Sequence, residues 1–427
     1  PNALLSRDAG ARVTAADGDS VLLAVSSAGS VVLERWADVP DSLRNALTRR
    51  AEVPTVKVSA PVPDLDARDL IVLKDLHGEL SGRVVGPKAA NLGDLARAFP
   101  GHVAPAIAIP FGIFAAHVAD GEDSPLAILR ARFDENRRGE LDDAGLAAAV
   151  ETARAAIAAT PLEPGFREKL LARMKTEFGP GAGVFVRSDT NVEDLPGFTG
   201  AGLNETVPHV VGEQAQLDAI PRVWASPFRE RAMSWRANLL TRPEDVYTSV
   251  LLMKSVPAEK SGVLVTTDLL ERRGGLTVAA AWGVGGAVDN ESAETIVLRP
   301  DGRRVLAGEA KAPYRRQLRD SGGIEWVPAP AGRVLTDAEC DLLRAMVDRI
   351  GETFAAAEGA GGRPRPWDVE FGFLNGELTL FQIRPLVERG QETADTVVES
   401  RVGPVAVAGG NVDLDGGVAL RRPEVAP

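Results

Sequence analysis

The sequence predicts an α+β fold with two lobes and a small β-rich appendage at its N-terminal end. Helical periodicity dominates the first half of the chain, and β-branched apolar runs dominate from Thr248 onward. A length of 427 residues fits about two to three domains of roughly 150 residues each. We therefore expect an appendage and linker over residues 1–60, a mixed first lobe over 61–240, a β-rich second lobe over 241–395 and a tail over 396–427.

The composition excludes several classes of protein. The 48 basic and 60 acidic side chains give a net charge of −12, which argues against nucleic-acid binding because a phosphate backbone needs a basic surface. The single cysteine, Cys340, rules out an internal disulfide framework and a Cys-based zinc site. No apolar run approaches the roughly 18 residues of a membrane helix, and no signal peptide opens the chain. We therefore expect a cytoplasmic protein that contacts no membrane.

The predicted elements of the first half begin with a hairpin. Ser20–Trp36 contains two β-branched runs around a turn at Ser26–Gly29, and the Pro- and Val-rich stretch Val53–Ala67 predicts an extended linker. A helix begins at Pro87 and ends before Pro100. Further helices are predicted at Leu141–Thr160, at Gly165–Phe178 and from about Gln214 to Leu240, with a break at Pro227 and core anchors at Trp224, Phe228, Met233 and Trp235.

The second half is predicted to be mostly β. Its strand candidates are apolar runs at Thr248–Lys254, Gly262–Thr267, Leu276–Trp282 and Thr295–Arg299. A helix at Thr336–Glu358 interrupts them, and its start is marked by a capping-box pair, Thr336 and Glu339. Cys340 lies on the buried face of this helix, which favours a core role over a nucleophilic one.

Lys88 is the first candidate for a functional side chain. It lies in the opening turn of the helix that begins at Pro87, where the helix dipole disfavours a cation. A bound phosphate would reverse that preference, because helix N-termini and lysine both attract anions. The alternative is a solvated surface lysine.

Arg187 is the second candidate, together with the loop that follows it. It ends a predicted strand, and an arginine there offers a planar fork to phosphate oxygens. In the loop, Thr199, Gly200 and Gly202 offer hydroxyl and backbone N–H donors that could wrap a phosphate. The alternative is an ordinary surface loop beside a salt-bridged arginine, and no Walker motif is present.

The third candidate is a hairpin with the sequence WDVEFGFLNGELTLFQIRPL, turning at Asn375-Gly376. A regular two-residue turn would pair Glu370 with Phe381. The polar residues of one strand would then lie on the same side of the hairpin as the apolar residues of the other. Shifting the register by one residue lets Glu370 face Gln382 instead. The sequence therefore predicts a bulge or an odd-length loop in this hairpin.

The shifted register also lets Asp368 face Arg384, so one face displays two acidic side chains, an amide and an arginine. Carboxylate and amide oxygens suit a hard cation such as Mg²⁺, and the arginine suits a phosphate that such a cation bridges. The alternative is the solvated polar face of an edge hairpin.

Five ordered motifs resemble the nucleotide-binding domain of the pyruvate phosphate dikinase and phosphoenolpyruvate synthase superfamily, with the α-glucan water dikinases nearest. The resemblance covers about residues 71–388 and implies an ATP-grasp-like fold. The motifs are GPKAANL from Gly86, VRSDTNVEDLPGFTGAGLNET from Val186, VPAEKSGVLVTTD from Val256, AAAWGVGGAV from Ala279 and DVEFGFLNGELTLFQIRP from Asp368.

The resemblance implies roles for the phosphate-side residues. Lys88 and Arg187 would hold the phosphates of ATP, and the loop with Thr199, Gly200 and Gly202 would lie over them. It makes these two cations, with Arg384, the expected catalytic residues.

The resemblance also implies the remaining contacts. Glu370 and Gln382 would be the Mg²⁺ ligands, and Arg384 would stabilise charge on the transferred phosphoryl group. Met253 and Lys254 fall where the adenine-contacting strand of the family runs.

By this resemblance the chain is the ATP- and Mg²⁺-binding part of a dikinase-type phosphotransferase. Such an enzyme passes a phosphoryl group to a carrier histidine on a separate domain and then to an acceptor, which the sequence does not identify. None of the four histidines here has the setting of a carrier. The stretch Pro1–Glu34 resembles the segment that follows the carrier histidine in water dikinases, so we expect the carrier domain either upstream of Pro1 or as a separate partner. The alternatives are a direct ATP-dependent kinase of a small molecule or protein and a nucleotide-sensing module without catalysis.

Overall fold

The computed structural model describes residues 20–25, 31–48, 60–193, 204–237, 240–269, 274–285, 292–354 and 365–386. They belong to two compact units, one within Pro1–Ala51 and one within Glu52–Val387. Within these residues, no helix is long and apolar enough to cross a membrane.

The first unit contains the predicted N-terminal hairpin. Strands β1 (Val21–Val25) and β2 (Val31–Arg35) pair antiparallel and are followed by helix α1 (Asp41–Thr48). Leu22, Ala24 and Val39 are buried.

The second unit contains a five-stranded antiparallel sheet with several helices packed against it. The strands follow the order β3, β4, β7, β5, β6. Their bounds are β3 Ile71–Val72, β4 Ala106–Ile109, β5 Val184–Thr190, β6 Thr206–Val210 and β7 Thr248–Lys254. The helices are α2 Pro87–Ala98, α3 Phe111–Val118, α4 Pro125–Arg137, α5 Asp143–Ala158, α6 Pro164–Phe178, α7 Glu213–Ala225 and α8 Glu230–Ala237.

Both faces of this sheet are buried, because its side chains alternate between two cores. On β4, Ile107 and Ile109 pack with the core that α3 to α7 form. Ala106 and Ala108 point the other way, into a core shared with α2 and the second sheet. This second face is the one that borders the functional site.

The second sheet has six antiparallel strands in the order β11, β10, β9, β8, β14, β15. Strands β12 and β13 form a two-stranded sheet of their own. Helix α9 packs in the same hydrophobic core as the six-stranded sheet. The bounds are β8 Lys260–Val265, β9 Leu276–Trp282, β10 Glu294–Leu298, β11 Arg304–Gly308, β12 Tyr314–Leu318, β13 Ile324–Pro328, α9 Asp337–Thr353, β14 Trp367–Leu374 and β15 Glu377–Pro385. The predicted α+β fold with two lobes is confirmed.

The helical stretch predicted from Gln214 to Leu240 consists of two helices separated at the predicted break. The chain forms α7, a 3-10 turn at Ser226–Phe228 and then α8. Pro227 lies in the turn, where it breaks the helix as expected because it has no N–H to donate. Trp235 is 45% exposed and is not a core anchor, whereas the other three predicted anchors are buried.

The start of α9 agrees with its prediction. The Thr336 hydroxyl accepts from the backbone N–H of Glu339, and the Glu339 carboxylate accepts from the backbone N–H of Thr336, which is a complete capping box. Cys340 is fully buried on the inner face of α9, as predicted.

Candidate functional site

A cavity of about 710 Å³ lies between the two sheets. Its walls include side chains of β5, β6 and β7 from the five-stranded sheet, of β8, β14 and β15 from the six-stranded sheet, and of the β12–β13 hairpin. Seven of the predicted site residues line it: Lys88, Arg187, Met253, Lys254, Glu370, Gln382 and Arg384. The other three, Thr199, Gly200 and Gly202, lie outside the described residues.

The hairpin of β14 and β15 has the shifted register that the sequence predicts. Glu370 pairs with Gln382, and Asp368 pairs with Arg384. Between them and the turn the register changes, because Phe371 pairs with Leu380 and leaves one residue, Phe381, without a partner. This single extra residue is a β-bulge, and it keeps the polar face of both strands on the cavity side.

Arg384 is held by Asp368. Its Nε and Nη2 atoms each lie 2.9 Å from Asp368 Oδ2. The other carboxylate oxygen of Asp368 is buried without a hydrogen-bond partner among the described residues. Burial raises the pKa of Asp368, and Arg384 opposes that rise. The carboxylate thereby fixes the arginine at the cavity wall.

Arg187 on β5 reaches across to the hairpin. Its Nη2 donates to Gln382 Oε1 at 2.7 Å and lies 3.4 Å from Glu370 Oε2. Its Nη1 donates to the backbone carbonyl of Phe381 at 3.2 Å. The guanidinium therefore joins the two sheets through the amide and the carboxylate that the sequence indicated as metal ligands.

Lys88 is the second residue of α2, as predicted, and its ammonium lies in the cavity wall. Its Nζ is 2.5 Å from Glu193 Oε1 and donates to the carbonyl of Ser188 at 2.9 Å. The carboxyl group at the N-terminus of α2 is that of Asp189, which accepts from the backbone N–H of Lys88 at 3.0 Å and of Ala89 at 2.9 Å. Two orphan N–H groups of the helix are thus capped from β5, whereas the Lys88 ammonium faces the cavity.

The position of α2 depends on a close approach to β5 and β7. Gly86, just before the helix, donates its N–H to Ser249 Oγ at 3.0 Å, and Ser249 Oγ donates to the carbonyl of Asp189 at 2.8 Å. A Cβ atom on Gly86 would lie 2.1 Å from Asp189 Oδ1, so only glycine fits there. At the other side Asn91 Nδ2 donates to the carbonyl of Ile383, which ties α2 to β15.

Asp189 makes stability depend on pH. Burial and the neighbouring Glu193 carboxylate raise its pKa from 3.8 to about 7, although Lys88 and the two N–H donors oppose the rise. Between pH 3.8 and about 7 the folded protein therefore keeps a proton on Asp189 that the unfolded chain has lost. The contribution of this proton to the free energy of unfolding is complete below pH 3.8 and disappears as the pH rises through about 7. The slope is at most about 1.4 kcal/mol per pH unit.

We expect the stability of the wild type relative to Asp189→Asn to fall between pH 5 and pH 7.5, as measured by urea unfolding. The matched control is Asp301→Asn, because hydrogen bonds from the backbone and side chain of Arg303 lower the pKa of Asp301. The Asp301 carboxylate is ionised throughout the range, so the difference in stability between the wild type and Asp301→Asn should stay constant. A constant difference for Asp189→Asn as well would show that Asp189 carries no proton in the folded protein.

Three cations of the cavity are thus each balanced by a different carboxylate. Lys88 pairs with Glu193, Arg187 with Glu370 and Arg384 with Asp368. The prediction did not include Glu193 and Asp189 as site residues, although both lie in the motif that begins at Val186. Their contacts to α2 span about a hundred residues, so no spacing in the sequence could reveal them.

The donor set of the hairpin fits a magnesium ion that takes only part of its ligands from protein. Among the residues that the structure describes, no group of three or more His, Cys, Asp or Glu is arranged to hold a metal. Glu370 and Gln382 nevertheless offer two adjacent oxygens to one cation, since the Arg187 guanidinium binds both. Mg²⁺ is commonly bound through one or two protein oxygens together with substrate phosphates and water.

Comparison with known proteins identifies a family. The sequence model of the pyruvate phosphate dikinase AMP/ATP-binding domain family matches residues 82–402, which include the whole cavity lining. The match also agrees with a two-lobed, ATP-grasp-like fold.

Three curated proteins illustrate the relatives. Probable phosphoenolpyruvate synthases of Methanothermobacter thermautotrophicus and Archaeoglobus fulgidus are each 30% identical, over 51% and 55% of this chain and 31% of their own length. A rifampicin phosphotransferase of Streptomyces sviceus is 29% identical over 71% of this chain and 34% of its own length. The chain spans about a third of the length of these relatives.

Proposed function

Because the chain belongs to the pyruvate phosphate dikinase AMP/ATP-binding domain family, we propose that it is the ATP- and Mg²⁺-binding part of a dikinase-type phosphotransferase. The observation that carries the proposal is the polar face of the β14–β15 hairpin. Its bulge places Glu370, Gln382 and Arg384 along one wall of the cavity, and Lys88 and Arg187 enter the same cavity from the other lobe.

In the proposed site the triphosphate lies between the two lobes. Lys88 supplies an ammonium from α2 and Arg187 a planar guanidinium from β5, which together neutralise phosphate oxygens. The loop with Thr199, Gly200 and Gly202 follows β5 in the chain and would close over the phosphates. These residues position the nucleotide, which is the main requirement for phosphoryl transfer.

The adenine end of the proposed site is formed by β7. Met253 and Lys254 end this strand and line the cavity. Phe185, opposite Met253 on the neighbouring strand, adds an aromatic ring to the same wall. An apolar wall of this kind suits a flat purine base.

Glu370 and Gln382 would hold the magnesium ion, which when bound would neutralise phosphate charge. Arg384 is the proposed catalytic residue for the transferred group. Asp368 fixes its Nε and Nη2 edge, so the guanidinium is oriented before the nucleotide arrives. Preorganised positive charge of this kind stabilises the transition state at no cost of reorganisation.

We place the phosphate-carrying histidine on a separate domain. His102 and His209 each bond through a ring nitrogen to a backbone carbonyl, and His117 bonds to a carbonyl and packs against Trp224. These three rings have structural roles, and His77, the fourth histidine, is not among the described residues that line the cavity. Both observations support transfer to a histidine of another domain. The acceptor beyond that histidine is unassigned, and a cytoplasmic location stays a prediction.

The test is product analysis with Mg-ATP labelled at either the β- or the γ-phosphate, in the presence of a supplied phosphohistidine domain. We expect AMP, γ-phosphate released as inorganic phosphate and β-label bound to histidine in an acid-labile form. ADP as the only nucleotide product would favour a direct kinase. Tight ATP binding without any product in the presence of the carrier would favour a nucleotide-sensing module.

A further inference from the structure

The metal ligands of the proposed site are engaged by a side chain of the protein itself. Arg187 Nη2 lies 2.7 Å from Gln382 Oε1 and 3.4 Å from Glu370 Oε2, the two oxygens assigned to magnesium above. Its second nitrogen is held by the carbonyl of Phe381 at the bulge. Arg187 and Glu370 are mostly buried, with 12% and 17% of their side chains exposed.

A guanidinium and a divalent cation compete for these oxygens. The oxygens have more than one lone pair each, but two positive groups so close in a partly buried site would repel each other strongly. A metal ion therefore binds there more favourably once Arg187 has left Glu370 and Gln382.

Among the three cavity cations that pair with Glu193, Glu370 and Asp368, Arg187 has the longest contact to its carboxylate. The distance is 3.4 Å for Arg187 to Glu370, against 2.5 Å for Lys88 to Glu193 and 2.9 Å for Arg384 to Asp368. Arg187 also lies on the five-stranded sheet, and its planar guanidinium matches the geometry of phosphate oxygens. It is the cation best placed to exchange a protein carboxylate for a phosphate.

We propose that Arg187 is the counter-cation of the metal ligands in the nucleotide-free protein, and that metal binds only together with a nucleotide. The phosphates take over the guanidinium, and this frees Glu370 and Gln382 for the ion. The inference rests on the proposed function, because it adopts the same two metal ligands. It gives Arg187 a second role, which is to keep the metal site closed until the nucleotide is present.

The test measures metal binding without any turnover. Mn²⁺ is titrated into the full chain, and free Mn²⁺ is followed by its electron paramagnetic resonance signal. The wild type should take up Mn²⁺ at this site with ATP and much less without it. Arg187→Gln should bind Mn²⁺ without nucleotide at least about tenfold more tightly than the wild type, within the usual range of coupling between two sites.

The matched control is Arg303→Gln, which removes an arginine that pairs with Asp301 outside the cavity and is 68% exposed. It should leave nucleotide-free Mn²⁺ binding near the wild-type level, and Arg187→Gln combined with Glu370→Gln should lose the gain. If Arg187→Gln takes up no more Mn²⁺ than the wild type, the inference is overturned while Mn-ATP binding by the wild type still supports the proposed function. If the wild type takes up no Mn²⁺ even with ATP, the proposed metal site fails as well.

A second measurement does not require a substitution on β5. Glu370→Gln releases Arg187 from its carboxylate, so metal-free ATP, measured in EDTA, should bind about fivefold or more tightly than to the wild type. Glu377→Gln removes an equal charge from an exposed position of the same hairpin and is the control. Equal ATP affinities for the two variants would contradict the proposal.

Discussion

Arg384→Ala should lower phosphoryl transfer to the carrier histidine at least about a thousandfold, the range for loss of an arginine that stabilises a phosphoryl-transfer transition state. The affinity for Mg-ATP should fall only several-fold, because Lys88, Arg187 and the adenine wall remain in place. Transfer is measured with β-labelled ATP, and affinity by calorimetry on the same preparations.

The controls for this variant separate charge, geometry and fold. Arg384→Lys keeps a positive charge near Asp368 but loses the planar guanidinium. Compared with Arg384→Ala, it should restore the stability of the protein more than the rate of phosphoryl transfer. Arg303→Ala removes an arginine that is 68% exposed on a turn and should match the wild type in both assays. Undiminished transfer by Arg384→Ala would show that this hairpin is not the catalytic wall.

Gly93→Ala should destabilise the protein by about 3 kcal/mol, although alanine is the better helix former. Gly93 lies in the middle of α2, where a Cβ atom would be 2.1 Å from the backbone carbonyl oxygen of Leu76. Backbone cannot yield as a flexible side chain does, so α2 must shift. Because α2 carries Lys88, weaker ATP binding should accompany the lower unfolding free energy.

Gly351→Ala is the matched control, since Gly351 also lies within a helix but has no atom within 4 Å of its Cβ position. That change should be neutral or stabilising by up to about 0.5–1 kcal/mol. Chemical denaturation of both variants with the wild type checks the pair. A neutral effect at Gly93 would mean that α2 and the chain at Leu76 separate easily.

The hairpin of β14 and β15 is the part of the site that was best predicted from the sequence. The alternation of polar and apolar residues along two adjacent strands is a local signal. A regular turn would have placed the apolar residues of one strand opposite the polar residues of the other, so the sequence required a bulge. The structure has this bulge between Glu370 and the turn. The five motifs likewise identified the superfamily, and the family match confirms it. Nearness to the α-glucan water dikinases stays a prediction.

Other features could not be predicted because they depend on contacts between distant parts of the chain. Asp189 and Glu193 reach Lys88 from another element, and only the folded sheet brings them to α2. The strands β12 and β13 were missed because their sequences, YRRQL and IEWVP, lack an apolar run. They form a two-stranded hairpin that is not buried on both faces, so the pattern used to detect strands is weak there.

The bulge at Phe381 gives this hairpin a property that its residue types alone do not contain. The bulge takes up one extra residue of β15, so Gln382 and Arg384 face Glu370 and Asp368 instead of the apolar side chains that a regular register would place there. The role proposed for this hairpin therefore depends on how the extra residue is accommodated as much as on the residue types. A relative with one residue fewer between the turn and the glutamine would keep the same pairs without a bulge.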